Sequence, residues 1–230
     1  MLNNNRLAVI IPALNEEATI ANVVACVSVR GATPIVVDDG SLDQTANIAR
    51  SAGALVVSHE VNNGYEQALN TGIHEAAARG FELAATFDAD GQLDPDDLVR
   101  FVDVLDAEKS DLVIGVRDYR NRYTEYLLAL FGRLRFGLRD PLCGLKLYRL
   151  KKAKHYFPFD TLRLVGMEMS FRMLDAGCKV TELPIHVQKR EGVSRYGSSF
   201  SGELNILKSL WRVIWEFGLF RIQRQRGYSV

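Results

Sequence analysis

Leu83-Ala84-Ala85-Thr86-Phe87-Asp88-Ala89-Asp90-Gly91-Gln92 is a short apolar run that ends in two carboxylates one residue apart. A run of this length bounded by turn formers reads as a strand buried on both faces. The same arrangement occurs twice upstream. Residues 7–11 are closed by Pro12-Ala13-Leu14-Asn15-Glu16-Glu17, and residues 35–37 by Asp38-Asp39-Gly40-Ser41. Apolar residues at helical spacing follow at 16–29, 43–52, 65–79 and 95–107, and further strand patterns lie at 54–58 and 111–116. This alternation predicts an α/β fold, a mostly parallel sheet flanked by helices with right-handed crossovers. Ligands of such sheets bind beyond the carboxyl ends of the strands, where residues 12–16, 38–41 and 88–92 all fall.

The 230 residues, 47% hydrophobic and 24% charged, suffice for one sizeable core. Past residue 116 the pattern predicts a helix over 123–138, strands at 145–148 and 180–187, and a helix over 166–176, with no linker between them. Three scattered cysteines, Cys26, Cys143 and Cys178, read as buried thiols of a reducing compartment. Neither a signal peptide nor a transmembrane helix is expected. Residues 203–221 form an amphipathic helix with Asn205, Lys208, Ser209, Arg212 and Glu216 on one narrow stripe and apolar residues around the rest. Two readings remain open for it. It packs on the domain or a partner, or it lies in a membrane interface with Trp anchors and Arg221, Arg224 and Arg226 near the headgroups.

Acidic and basic residues number 28 each, yet residues 1–110 carry a net −11 and residues 111–230 a net +11. Such a split suggests that carboxylates and cations serve separate surfaces. Oxygen ligands at the Asp88-x-Asp90 spacing suit a hard divalent cation that also holds substrate phosphates. Ser41 or Asp43 is expected to cap the helix after the second strand, and Asn15 the helix after the first. An acid at the second strand's tip is placed to meet a ribose or a base edge.

Taken in order, these motifs resemble the family 2 glycosyltransferases of GT-A fold, and most closely the dolichol-phosphate mannosyltransferase-like branch, the polyprenol-phosphate sugar transferases. The resemblance covers about residues 6–195, and the agreement of several spaced motifs makes it specific. It implies that Pro12, Leu14, Glu16 and Asp39, with the Val37 backbone, hold the nucleoside. It implies Asp88, Ala89 and Asp90 at the donor, with Asp88, Asp90 and Gln92 around Mg²⁺ or Mn²⁺. Gly115-Val116-Arg117 matches the family's Gly-x-Arg, and Lys189-Arg190-Glu191-Gly192-Val193-Ser194-Arg195 its later Arg-rich loop, so that Arg117, Arg190 and Arg195 face the donor phosphates. Asp140-Pro141-Leu142-Cys143-Gly144-Leu145-Lys146 resembles the motif before the acceptor site. Asp90, Arg117 and Asp140 are the expected catalytic residues. Residues 1–200 would be the glycosyltransferase domain and 201–230 the amphipathic helix and basic tail.

The implied function is metal-dependent, inverting transfer of a sugar from a GDP- or UDP-sugar to polyprenyl phosphate, at the cytoplasmic face of a membrane by peripheral association. No nucleic acid is among the expected partners. Arg120, Arg122, Arg133, Arg135 and Arg139, interleaved with apolar residues, suit a lipid phosphate. A phosphate acceptor is already anionic, whereas a hydroxyl acceptor on a glycan or small molecule needs a base, for which Asp140 or Glu168 would serve. A catalytically silent nucleotide-sugar-binding or scaffold protein is the remaining alternative.

Overall fold

The computed structural model describes residues 6–118, 123–158, 166–188 and 199–218. Seven strands form one sheet: β1 (Leu7–Ala13), β2 (Thr33–Asp38), β3 (Leu55–Ser58), β4 (Leu83–Thr86), β5 (Leu112–Arg117), β6 (Lys146–Arg149) and β7 (Val180–Ile185). Their spatial order is β3-β2-β1-β4-β6-β5-β7. The apolar runs of the central strands are buried, with Leu7, Val9, Ile10 and Ile11 each 0% exposed, as a sheet covered on both faces requires, while edge strand β3 is only partly buried. Helices α1 (Ile20–Val29), α2 (Thr45–Ser51), α3 (Tyr65–Ala78) and α4 (Asp96–Ala107) alternate with the first strands. They are followed by α5 (Tyr123–Phe136), α6 (Leu150–Ala153), α7 (Glu168–Asp175) and α8 (Ser199–Phe217).

All strand pairs are parallel except those of β6, which runs antiparallel to both β4 and β5. A strand reversed in this way begins where its neighbours end. Lys146 lies opposite Thr86 and Ile114, so the segment 140–146 enters the sheet at the edge where β1, β2, β4 and β5 release their loops. The sequence patterns locate β6 but carry no sign of its direction.

The first helix starts at Ile20 rather than at Glu16, because the preceding loop is bonded to its neighbour instead of coiling. Asn15 does not cap it. Its backbone takes φ 51°, its N–H donates to Ser41 Oγ at 2.9 Å, and its Oδ1 accepts from Leu42 N at 2.9 Å. Glu16 N donates to Thr45 Oγ1 at 2.7 Å. Asp43 does accept from Thr45 N, at 2.9 Å, while Ser41 is spent on Asn15.

Helix α3 lies close against β1 at Gly72, where a Cβ would stand 2.2 Å from Ile10 Cγ2 and 3.1 Å from Val37 Cγ2. Overpacking of this kind costs about 1–3 kcal/mol. Gly72→Ala is therefore expected to lower the urea midpoint by that equivalent; an unchanged midpoint would show that α3 can slide on the sheet.

Candidate active site

The loops that follow the parallel strands and the segment that enters β6 meet at the carboxyl edge of the sheet. At the tip of β2, Asp39 is only 4% exposed and its carboxylate is enclosed by its surroundings. Oδ1 accepts from Asn63 N at 2.9 Å and lies 2.7 Å from His59 Nδ1, while Oδ2 accepts from Gly64 N at 2.8 Å. His59 is itself held on its other side, with Nε2 2.9 Å from Thr71 Oγ1. With Nδ1 protonated, the imidazole donates to Asp39 and accepts from the threonine hydroxyl. Neither His59 nor the Asn62-Asn63-Gly64 turn was marked by the sequence motifs; the only signal was a polar turn ahead of a helix.

Around Asp39, Pro12, Leu14 and Glu16 are half-buried on the first loop, and Val37 is buried between β1 and β3. Glu16 accepts from Thr19 Oγ1 at 2.9 Å. Next along the chain from Gly64, Tyr65 donates its hydroxyl to Asp88 Oδ1 at 3.1 Å. Consecutive residues of one loop thus touch the acid of β2 and the acid of β4.

Asp88 rests on Gly144, where a Cβ would stand 2.3 Å from Asp88 Oδ2 and force the carboxylate to shift. Thr86 Oγ1 donates to Gly144 O at 2.6 Å and fixes the two loops together. Asp90 Oδ1 accepts from Gln92 N at 3.1 Å, and Ala89 between the acids is buried. Gln92 is tied to the end of β7, donating from Nε2 to Gln188 O at 2.8 Å and accepting at its own carbonyl from Gln188 N at 2.9 Å. Among the described residues no three His, Cys, Asp or Glu side chains form a metal cage. Two carboxylates at a strand tip suit a cation such as Mg²⁺ that takes its remaining ligands from water and substrate phosphates.

Arg117, at the end of β5, is locked by acids. Its Nε donates to Asp140 Oδ2 at 2.8 Å, and one terminal nitrogen donates to Asp140 Oδ1 at 3.0 Å and to Glu125 Oε2 at 3.1 Å. Burial works against its charge, but the bond to Asp140 and the charges of Asp140 and Glu125 carry its pKa above the ordinary value. Asp140, expected among the catalytic residues, is 1% exposed and accepts from Arg117 with both oxygens. Glu168 is likewise 0% exposed and accepts from Arg172 Nε at 2.7 Å. Lys146, 3% exposed, donates to Gly166 O at 3.0 Å, and burial pushes its pKa down to about 8. Arg190 and Arg195, with Lys189, Arg120 and Arg122, lie outside the described residues.

Burial, and then the charge of Asp90, push the Asp88 carboxyl up to about 6, against the opposing pull of Tyr65, Lys146 and Arg117. An unfolded chain releases that proton near 3.8, so the folded protein holds the extra proton between these values and loses stability as pH rises through them. Asp88→Asn is expected to stabilise the metal-free protein by about 1–2 kcal/mol at pH 7, with the gain shrinking towards pH 4. Equal urea midpoints at pH 7 would show that the carboxylate carries no such cost.

Residues 8–155 match the family model described as glycosyl transferase family 2. A glycosyltransferase of Mycobacterium tuberculosis described as uncharacterized is 31% identical over 218 residues, which span 90% of this chain and 97% of that protein. The polyprenol monophosphomannose synthase of Mycolicibacterium smegmatis is 29% identical over 96% of this chain and 91% of its own. An uncharacterized protein of Methanocaldococcus jannaschii is 39% identical over 117 residues, a match that spans 50% of this chain and 48% of that one. The fold is shared with glucosyl-3-phosphoglycerate synthase of Mycobacterium tuberculosis in complex with Mg²⁺ and uridine-diphosphate. The TM-score is 0.74 at 24% identity, over 93% of this chain and 80% of that one. The α/β sheet of GT-A type, the ordered loops at its edge and these matches agree: the chain belongs to glycosyl transferase family 2, the nucleotide-sugar-dependent sugar transferases.

Proposed function

We propose that the protein transfers a sugar from a GDP- or UDP-sugar to polyprenyl phosphate, with a divalent cation, Mg²⁺ or Mn²⁺, at Asp88 and Asp90. The observation that carries the choice of acceptor is the state of the two carboxylates that a hydroxyl acceptor would need. Asp140 and Glu168 are both buried and bonded to arginines. A phosphate monoester is anionic at neutral pH and attacks without a base. Relatives support the same reading: the Mycolicibacterium smegmatis protein is named for polyprenol monophosphomannose, and a Haloferax volcanii relative, 28% identical over 91% of this chain, is named a dolichyl-phosphate hexose transferase.

In this reading Pro12, Leu14, Glu16, Asp39 and the Val37 backbone receive the nucleoside, and His59 positions Asp39. The cation, once bound, supplies positive charge to the diphosphate as it leaves. Asp88, Asp90 and Gln92 set the place where the diphosphate lies, beside Ala89. The acceptor phosphate oxygen forms its bond to the anomeric carbon as the bond to the diphosphate breaks, with inversion. Asp140 is a positioning residue that holds the guanidinium of Arg117 in the site, and Arg117, Arg190 and Arg195 face the phosphates. Among the described residues no helix is long and apolar enough to cross a membrane, and the protein reaches its lipid acceptor peripherally, from the cytoplasmic face.

The test is transfer from a panel of GDP- and UDP-sugars to short-chain polyprenyl phosphate with Mg²⁺ or Mn²⁺, read by organic extraction and mass spectrometry. A sugar-phosphoryl lipid is expected, and transfer only to a hydroxyl acceptor would overturn the reading. Asp90→Ala should abolish product while the fold is kept; full activity would remove Asp90 from the metal site. His59→Leu should raise the donor KM about tenfold, the value of one hydrogen bond of about 1.4 kcal/mol, with little change in kcat. An unchanged KM would show that Asp39 needs no such support.

A further inference from the structure

Helices α5 and α8 meet over one aromatic cluster. Phe136 of α5 stacks on Phe171 of α7 with centroids 4.5 Å apart, and Phe217 at the end of α8 packs edge-on against both, at 5.7 and 5.6 Å. Arg135 donates from Nε to the Phe217 carbonyl at 2.9 Å and pairs with Asp175. Val213 and Ser209 are buried beneath α8. Ser209 therefore leaves the polar stripe on which the sequence pattern set it. The inward faces of both helices are thus used by the domain itself, which satisfies the packed reading of α8 only in part. Trp211 remains 68% exposed and Trp215 82%, beside Leu207 at 43%. On α5, Leu127, Leu130 and Leu134 are 48%, 53% and 69% exposed. Outside these two helices, the large apolar side chains exposed among the described residues are Val29, Leu42 and Val61, on three separate elements.

We propose that the outward faces of α5 and α8 seat the protein in the interface of an anionic lipid bilayer, an inference that rests on polyprenyl phosphate being the acceptor. Cations are interleaved with the apolar side chains. Arg133 lies between Leu130 and Leu134, Lys208 and Arg212 flank Trp211, and all three are exposed. Glu216 on the same helix lies 3.8 Å from Arg172, and the sequence continues with Arg221, Arg224 and Arg226. Tryptophan beside basic residues is what a helix lying among headgroups presents. Glu125, buried on the inward face of α5, touches Arg117, so the helix that carries Leu127, Leu130 and Leu134 outward is anchored at the site from its other side.

Trp211 and Trp215 are the two tryptophans of the chain, so tryptophan emission reports this surface alone. Vesicles of phosphatidylcholine with phosphatidylglycerol are expected to sediment the full-length protein and shift its emission to the blue, and brominated lipids to quench it. Pure phosphatidylcholine vesicles should bind less. The double substitution Leu130→Glu with Leu134→Glu should weaken vesicle binding at least tenfold. It should also reduce transfer to polyprenyl phosphate embedded in vesicles while sparing transfer to a short, water-soluble prenyl phosphate. Absence of both sedimentation and emission shift with the wild-type chain overturns the proposal, whatever the variant does. So does a blue shift that appears without lipid as the protein doubles in mass, which would assign the face to a second copy. Vesicle binding without transfer to any lipid phosphate would sink the acceptor reading and leave the surface standing. Transfer without vesicle binding would do the reverse.

Discussion

Gly144 stands against Asp88 with no room for a methyl group between them, and its carbonyl is held by Thr86 from the neighbouring strand. This contact exists because β6 runs against the direction of β4 and β5. Were β6 parallel, its first residues would lie at the opposite end of the sheet, and Asp140, Gly144 and Lys146 would be some four residues of strand away from the acids. The reversal delivers the segment 140–146 to the edge that holds the acids. The price is a crowded, partly dehydrated carboxylate, a cost that functional sites commonly retain.

Arg117 shows how that crowding is managed. A guanidinium brought under a sheet edge needs partners, and Asp140 meets it with two parallel bonds, the geometry that best fixes a planar fork. Glu125 adds a second acid from α5. Two carboxylates on one arginine leave the cluster with excess negative charge, which an incoming phosphate would feel as repulsion unless cations approach with it. The basic half of the sequence supplies many of those.

Much of this was legible in the sequence because it depended on short-range rules. Buried parallel strands write themselves as apolar runs, and the loops after 7–11, 35–37 and 83–87 fell on one edge by topology alone. The position of Asp39, Asp88 and Asp90 at that edge follows in the same way. What was not legible depended on partners distant in sequence. Nothing local distinguishes His59, a lone histidine after a short strand, until Asp39 arrives 2.7 Å away from another loop. A motif names Asp140 but not its bonds, and its pairing with Arg117 reaches across helix α5. Ser209 was placed with the polar residues by its type, whereas tertiary packing buried it and turned the tryptophans out.

The first two loops are joined through Asn15 to Ser41 and Leu42, and through Glu16 to Thr45. Beyond the bonds each loop makes within itself, such as Thr45 N to Asp43 and Thr19 Oγ1 to Glu16, each braces the other. Substitutions in the pair should therefore be strongly non-additive: after Asn15 is lost, losing Ser41 as well would cost little more. Over evolutionary time two such loops would drift as one unit, changing by paired exchanges across both rather than by single steps in either.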